Sequence, residues 1–539
     1  MTVEPEATDQ PEVTDQPAPP SGVSFGTIGH LAIAYAVFAG ALWYIQSGTR
    51  AIIDPDGYYH IRWSRILWEN LSHGRLPRFV WLPLTILNEK GYVDHHFLFH
   101  LLQIPFTFGP DLIAGAKAEA VLYGALAMLA CYALILWEGL RFRLVWLVML
   151  LACSGPFLFR MSLPRAPAVT IVTIVLALWL LFTRRYWALG VLSFFLVWMY
   201  SLFPLVGVLA GAWAVGVFFE EERIEWKPVA IVGVAMIGGL LINPYFPQNL
   251  YLFIDHVKMK VSEEYEVNVG QEWYPYESWY LLQSSVVAWC AQVAGWVVMR
   301  TGRREGMART ICLFLFSTFL LVLTMKSRRF IEYWPPFAVL FLAYALKPHL
   351  EAFQWSSVTW VWKRALYATS AVVILGGLLG AVAINVYETR DTVDGETDPY
   401  AYAGGAAWLA TRPGAQWLAE HTPEGALVFN TDWDDFPMLF FHNTHNVYTS
   451  GLDPTYLLHA DPELSKLYED ITLGKKDDPG PLIRDRFGAR YAFTDSGHKD
   501  FIRKATVDGG MKIVYEDKDA LVLEVVDNPE PPSDAPPEK

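Results

Sequence analysis

Long apolar runs alternate along this chain with polar segments, and the spacing of the two predicts most of its elements. A bilayer core takes about twenty apolar residues as helix. Runs of that kind fall near 27–46, 111–137, 144–163, 167–183, 187–204, 205–219, 228–243, 280–299, 309–325, 333–347 and 365–387. The pattern predicts a polytopic α-helical membrane protein with about eleven spans, occupying 27–387. No internal repeat accompanies them, unlike transporter folds built on inverted repeats. After residue 387 the period changes. Short strand-like runs (ALVFN, NVYTS, RYAFT, MKIVYE, ALVLEV) alternate with helical ones (GAQWLAEH, ELSKLYEDI, PLIRDRFG, HKDFIRKA), which predicts a soluble α/β domain over 388–527. Residues 1–26 and 528–539 are acidic and proline-rich, the composition of disordered tails, and the first lacks the basic start of a signal peptide.

Orientation follows from the connecting loops. LRFR (140–143), TRRY (183–186), RTGRREGMAR (300–309) and WKR (362–364) all carry Arg or Lys. The positive-inside rule puts them, and the N-terminus, in the cytoplasm. An odd number of spans in the inner or plasma membrane then leaves the C-terminal domain outside. The polar segments 47–110, 244–279 and 388–539 fall on that same side, so any chemistry is expected to face out.

Composition agrees with the membrane class: 53% hydrophobic, 15% aromatic and only 18% charged residues. The net charge of −14 comes from the ends, because 388–539 holds 29 acidic and 14 basic residues and 1–26 holds five acids and no base. Between them, 27 Lys/Arg stand against 21 Asp/Glu, and no basic tract points to nucleic acid. Cys131, Cys153, Cys290 and Cys312 all lie in apolar stretches, which excludes a disulfide framework or a CxxC metal site in the soluble part.

The densest polar cluster, DPDGYYHIR, follows the first apolar run directly. Asp before Pro is a good helix start, and capping alone accounts for Asp54. It does not account for Asp56, His60 and Arg62; in a helix Asp56 and His60 share a face at i, i+4. The continuation, IRWSRILWENL, predicts an amphipathic helix lying on the membrane surface. A second cluster, GYVDHHFLFH, carries Asp94, His95, His96 and His100. Oxygen plus imidazole ligands suit Mn²⁺ or Zn²⁺, whereas Mg²⁺ prefers mostly oxygens; the same residues also serve as amphipathic filler at an interface. A third stretch, SEEYEVNVGQEWYPYESW (262–279), brings Glu264 and Glu272. Arg160 and Arg165 in FRMSLPRAP, and Arg328 and Arg329 in MKSRRFIEYW, mark the outer ends of spans. Such arginines either snorkel to headgroups or bind an anion, a phosphate or pyrophosphate above all.

DPDGYYHIR after the first span resembles the first acidic motif of the C-type (GT-C) integral membrane glycosyltransferases, with the oligosaccharyltransferase catalytic subunit as the nearest likeness. VDHH is similar to the second metal motif of that family, VGQEWYP to its mobile-loop motif ending in Glu, and SRRFIEYWPP to the region supplying an arginine to the donor phosphate. The resemblance implies a GT-C-like domain over 27–387 and an inverting, metal-assisted transfer from a polyprenyl-phosphate-type lipid-linked sugar to an extracytoplasmic glycan, protein or lipid. It implies Asp54, Asp94, His96 and Glu272 as ligands of a divalent ion, Mn²⁺ or Mg²⁺. It also implies Arg328, Arg329, Arg160 and Arg165 on the phosphate, and Asp54 or Asp56 on the acceptor. FNTDWDDFPMLFFHN puts Trp433, Asp434, Asp435 and Phe436 where that family holds its acceptor motif, but the paired tryptophans are missing and sequon recognition is not implied. Two other readings remain open: a lipid-linked-saccharide flippase, which needs ionisable residues in mid-span where few occur, and a non-catalytic assembly protein of the same fold.

Overall fold

In the computed structural model, the residues described are 25–261, 270–299, 306–394, 406–507 and 510–526. The two expected tails, bar Phe25 and Gly26, and Glu264 lie outside them. The helices of the membrane part are α1 (Phe25–Gln46), α2 (Pro55–Leu71), α3 (Phe97–Gln103), α4 (Leu112–Trp137), α5 (Arg143–Ala152), α6 (Gly155–Met161), α7 (Ala166–Phe182) and α8 (Tyr186–Leu196). They continue as α9 (Pro204–Glu221), α10 (Lys227–Leu241), α11 (Gln248–Val261), α12 (Ser278–Ser284), α13 (Val286–Val298), α14 (Met307–Lys326), α15 (Trp334–Ala352) and α16 (Val361–Asp394).

Every predicted apolar segment is helical, but not every one is a span-length helix. Among the described residues α1, α4, α9, α14 and α16 are long and apolar enough to cross a membrane, and the count rises to seven if the bent pairs α5–α6 and α12–α13 are each one span. The expected eleven therefore exist as apolar helical segments, several of them too short for a full crossing. The α5–α6 pair bends by 85°. Ser154 starts the second limb by accepting from Phe157 N, and Pro156 fits its first turn. That bend turns Arg160 toward the segment after α14.

The soluble domain has α17 (Ala406–His421), β1 (Leu427–Asn430), α18 (Phe436–His442), β2 (Val447–Tyr448), β3 (Tyr491–Asp495), β4 (Met511–Glu516) and β5 (Ala520–Val525). All five strands fall on the predicted runs. They form one sheet in the order β2-β1-β3-β5-β4, parallel across β2-β1-β3 and antiparallel across β3-β5-β4. Val428 pairs with Tyr491 and Phe493 with Val522, so Phe429 and Leu523 end inside the core.

One expectation fails instructively. Helix α2 does not lie exposed on a membrane surface: Tyr58, Tyr59, Ile61, Trp63 and Leu67 are buried. Its aromatic face packs on α18, with Tyr58 edge-on to Phe441 at 5.1 Å and Tyr59 5.7 Å from Phe440. Trp63, Phe79 and Tyr92 of the first loop share a core with Phe436 and Tyr448 of the soluble domain. An amphipathic period does not say whether lipid or protein covers the apolar face; here it is protein.

Candidate functional site

Asp54 has the extended backbone of a helix N-cap (φ −129°, ψ 134°), yet its side chain makes no capping hydrogen bond. The carboxylate is taken up instead by Arg165, which donates from Nε to Oδ2 and from Nη2 to Oδ1 at 2.6 Å. The same guanidinium lies 2.7 Å from Asp56 Oδ2 and 3.2 Å from Glu272 Oε2. Sequence supplies the approach: Arg165 follows Pro164, and Pro164 packs on the first turn of α2 because residue 57 is glycine. A Cβ at Gly57 would stand 2.5 Å from Pro164 Cγ and 2.7 Å from Ile52 Cγ2.

Glu272 is the hub of the opposite side. It accepts from Arg160 at 3.0 Å and pairs with Arg329 at 3.2 Å. Arg160 in turn donates from Nε to Glu332 at 2.6 Å. Burial alone would raise the Glu272 carboxyl; Arg329, Arg160 and Arg165 outweigh it and hold the group well below the usual carboxylate range. Arg329 lies over the Trp273 ring at 4.9 Å, and its Nε has no hydrogen-bond partner among the described residues. Arg328 points elsewhere. Its backbone N–H donates to Tyr274 O and its Nε to Pro275 O, tying down the loop that carries Glu272.

A cavity of about 370 Å³ opens beside this cluster, between the helical part and the soluble domain. Asp56, Glu272, Arg165 and Arg329 line one part of it, and Asp432, Trp433 and Asp434 line another. Asp54, Arg160 and Arg328 do not line it; Asp54 stands behind the Arg165 guanidinium. Burial, opposed by Arg165 and aided by Asp54 and Glu272, pushes the Asp56 carboxyl up to about 6. Burial and the neighbouring Asp432 push Asp434 up to about 7. Asp435 turns away from the cavity, and its buried Oδ2 has no hydrogen-bond partner among the described residues. Arg62 also misses the cavity.

The second sequence cluster builds a different device from the one expected. Asp94 accepts from His100 Nδ1 at 2.8 Å, from the Trp63 indole at 2.9 Å and from the His96 backbone. His100 Nε2 meets His60 Nδ1 at 2.8 Å. The tautomers of the two rings decide which nitrogen donates across that contact. His60, His95 and His96 reach the cavity wall. Burial, with His100 and Arg165 adding to it, keeps His60 well below its ordinary value and therefore uncharged at neutral pH. His96 stacks near Tyr200 at 5.4 Å.

The expected divalent-metal set is not gathered. Ligands of one ion lie about 2.0–2.6 Å from it and so within a few ångströms of one another. Among the described residues the group meeting that test is Asp432, Asp495 and His498 in the soluble domain. Asp94 is spent on His100 and Trp63, and Arg165 stands between Asp54 and Glu272. The residues around Asp54 thus do not fit a metal ion, whereas Asp432, Asp495 and His498 offer three ligand atoms beside the cavity. Sequence reading missed Glu332, Asp432, Asp495 and His498. Glu332, Asp432 and His498 stood inside quoted stretches, but nothing in their spacing marked them; Asp495 and His498 are only three positions apart, and the pairing of β1 with β3 is what brings Asp432 to them.

No protein-family model and no curated protein sequence matches the chain. Solved structures do. The oligosaccharyltransferase of Archaeoglobus fulgidus in the apo form superposes with a TM-score of 0.60 at 13% identity, over 95% of this chain and 76% of that one. ArnT from Cupriavidus metallidurans bound to undecaprenyl phosphate gives 0.56 at 16% identity, over 94% and 99%. The mycobacterial arabinofuranosyltransferase AftD gives 0.52 at 15%, over 93% of this chain but only 40% of that one. At such identities the likeness is one of fold, and it is consistent: this chain has the fold of the C-type membrane glycosyltransferases.

Proposed function

We propose that the chain is a membrane glycosyltransferase that moves a sugar or oligosaccharide from a polyprenyl-phosphate-type lipid donor to an extracytoplasmic glycan, protein or lipid. One observation carries the reading: within this fold, Arg165 and Arg329 share a cavity with the carboxylates Asp56 and Asp434. Guanidinium forks suit phosphate oxygens, and a carboxyl held near 6 suits a proton acceptor at neutral pH.

In the proposed step the donor phosphate lies against Arg329 and the exposed edge of Arg165. The acceptor O–H or N–H points at Asp56. Its heteroatom attacks C1 of the sugar as the C1–O bond to phosphate breaks, in one displacement with inversion. The proton passes to Asp56, and the electron pair leaves with the phosphate oxygen, where the guanidiniums neutralise the growing charge. Asp54 and Glu272 position Arg165, while His100 and Asp94 position His60 on the cavity wall. The proposal includes a cytoplasmic N-terminus and an extracytoplasmic cavity, in keeping with the Arg/Lys-bearing loops on the other side. No step is routed through a metal ion, because the residues around Asp54 do not fit one.

The test is mass spectrometry of polyprenyl-linked saccharides in cells carrying wild-type protein or Asp56→Asn. Accumulation of one lipid-linked sugar in the variant identifies the donor. An unchanged lipid pool, with the variant in the membrane at wild-type level, refutes the transferase reading and favours a non-catalytic role.

A further inference from the structure

We propose that the Arg165 guanidinium takes the place of a divalent cation at this centre, so that the site between Asp54, Asp56 and Glu272 binds no metal and works on fixed organic charge. The inference rests on the glycosyltransferase reading for its catalytic meaning, but its physical content stands alone.

Three observations lead to it. First, position: Arg165 engages both oxygens of Asp54 and also reaches Asp56 and Glu272. An ion at that point would have to displace a guanidinium that is itself largely buried, its side chain 13% exposed, and held by the Gly57–Pro164 contact. Second, charge: Asp54, Asp56, Glu272 and Glu332 face Arg160, Arg165 and Arg329, four carboxylates against three guanidiniums. The cluster is within one charge of balance, whereas carboxylates that bind a divalent ion carry a larger unpaired negative charge in its absence. Third, donor type: Asp94, the carboxylate expected to share an ion with Asp54, is committed to His100 and to the Trp63 indole.

A fixed guanidinium can do what a metal would do for a leaving phosphate. It supplies positive charge and directed hydrogen bonds where negative charge develops. It cannot be removed by a chelator, and it recognises a phosphate through planar paired donors rather than through a coordination shell. The ligand class is unchanged, a phosphate or pyrophosphate leaving group, but the dependence on the medium is reversed.

The experiment uses the purified full-length protein and Mn²⁺ alone as the probe, with bound ion counted by electron paramagnetic resonance. Wild type and Asp54→Asn should take up the same amount, since any Mn²⁺ on Asp432, Asp495 and His498 is common to both. Arg165→Gln, which frees Asp54 and Asp56 beside Glu272, should take up one further equivalent, and that gain should vanish in Asp54→Asn/Arg165→Gln. Wild type binding one ion more than Asp54→Asn overturns the proposal, and that comparison decides the matter even if Arg165→Gln does not fold. Transfer by Asp495→Asn, in which the soluble-domain group is disabled, should survive EDTA unchanged; EDTA-sensitive transfer restored by Mn²⁺ in that variant also overturns it. Absence of transfer from every lipid-linked donor would sink the glycosyltransferase reading and leave the Mn²⁺ comparison standing.

Discussion

Arg329→Gln isolates the contribution of one guanidinium to donor binding. Arg329 lines the cavity, pairs with Glu272 at 3.2 Å, rests on Trp273 and keeps an Nε without a partner among the described residues. Removing it takes one of three guanidiniums from Glu272; Arg160 at 3.0 Å and Arg165 at 3.2 Å remain. The loop around Glu272 therefore keeps its anchor, and the loss should fall on the ligand. A hydrogen bond to a charged group contributes about 1.5–3 kcal/mol, and about 1.4 kcal/mol is tenfold in affinity. Affinity for undecaprenyl phosphate, used as the probe and read from its stabilisation of the detergent-solubilised protein, should weaken roughly 10- to 150-fold by those figures. Arg328→Gln supplies the control, since Arg328 binds the backbone of Tyr274 and Pro275 and not the cavity. It should leave that affinity within roughly twofold, because it removes no charge from the cavity wall. An equal or larger loss in Arg328→Gln would refute the assignment of Arg329 to the phosphate.

Further outcomes follow from the same geometry. Asp56→Asn should lower transfer by roughly 10²- to 10⁴-fold with donor affinity preserved. Because the Asp56 carboxyl is raised to about 6, the base is lost by protonation as pH falls through that value; wild-type transfer should decline on the acid side of about 6, and a flat profile down to pH 5 would exclude Asp56 as the base. Gly57→Ala drives a Cβ into Pro164 at 2.5 Å, an overpacking that costs about 1–3 kcal/mol; a lowered midpoint together with impaired transfer is expected, and an unchanged midpoint refutes the contact. Tyr58→Ala empties the fully buried seat against Phe441 and Met438. The loss should be about 3–5 kcal/mol, read as protease release of the soluble domain from intact membrane helices; equal protease resistance would show that α2 does not hold that domain.

Much of this fold is legible in one sequence because its elements obey local rules. The strands ALVFN and ALVLEV carry β-branched and aromatic residues between turn signals, and both become buried strands. The apolar runs become helices for the same reason that proline and serine start them, as Ser154 and Pro156 do. What escaped is whatever depends on a partner. The period of α2 gave its apolar face but not its cover, which proved to be α18. At the site, Asp54, Asp56, Glu272, Arg165 and Arg329 were visible as charged residues at the ends of apolar runs. Their pairing was not, since Arg165 lies 111 positions from Asp54 and Glu272 another 107 beyond Arg165. The Asp94 cluster shows the converse error. Carboxylate and imidazoles close in sequence look like ligands, but the same groups satisfy one another when a helix folds His100 back onto Asp94.

The ion cluster is itself an argument for function. Taking seven charged side chains out of water is costly, and a buried ion pair is often no more stabilising than well-packed apolar residues of similar volume. The surrounding bundle shows that apolar alternative: Phe316 and Phe337 pack edge to face at 5.1 Å within one continuous core. Stability alone would not keep Asp54, Asp56, Glu272 and Glu332 facing Arg160, Arg165 and Arg329 across the ends of α2, α6, α7 and α14. Such a network does hold donors and acceptors rigidly at a cavity wall, and on the proposed reading a phosphate bound there meets charge that needs no reorganisation. The cost in desolvation is met in the folded chain before any substrate arrives, and so the barrier, not the ground state, is where the arrangement acts.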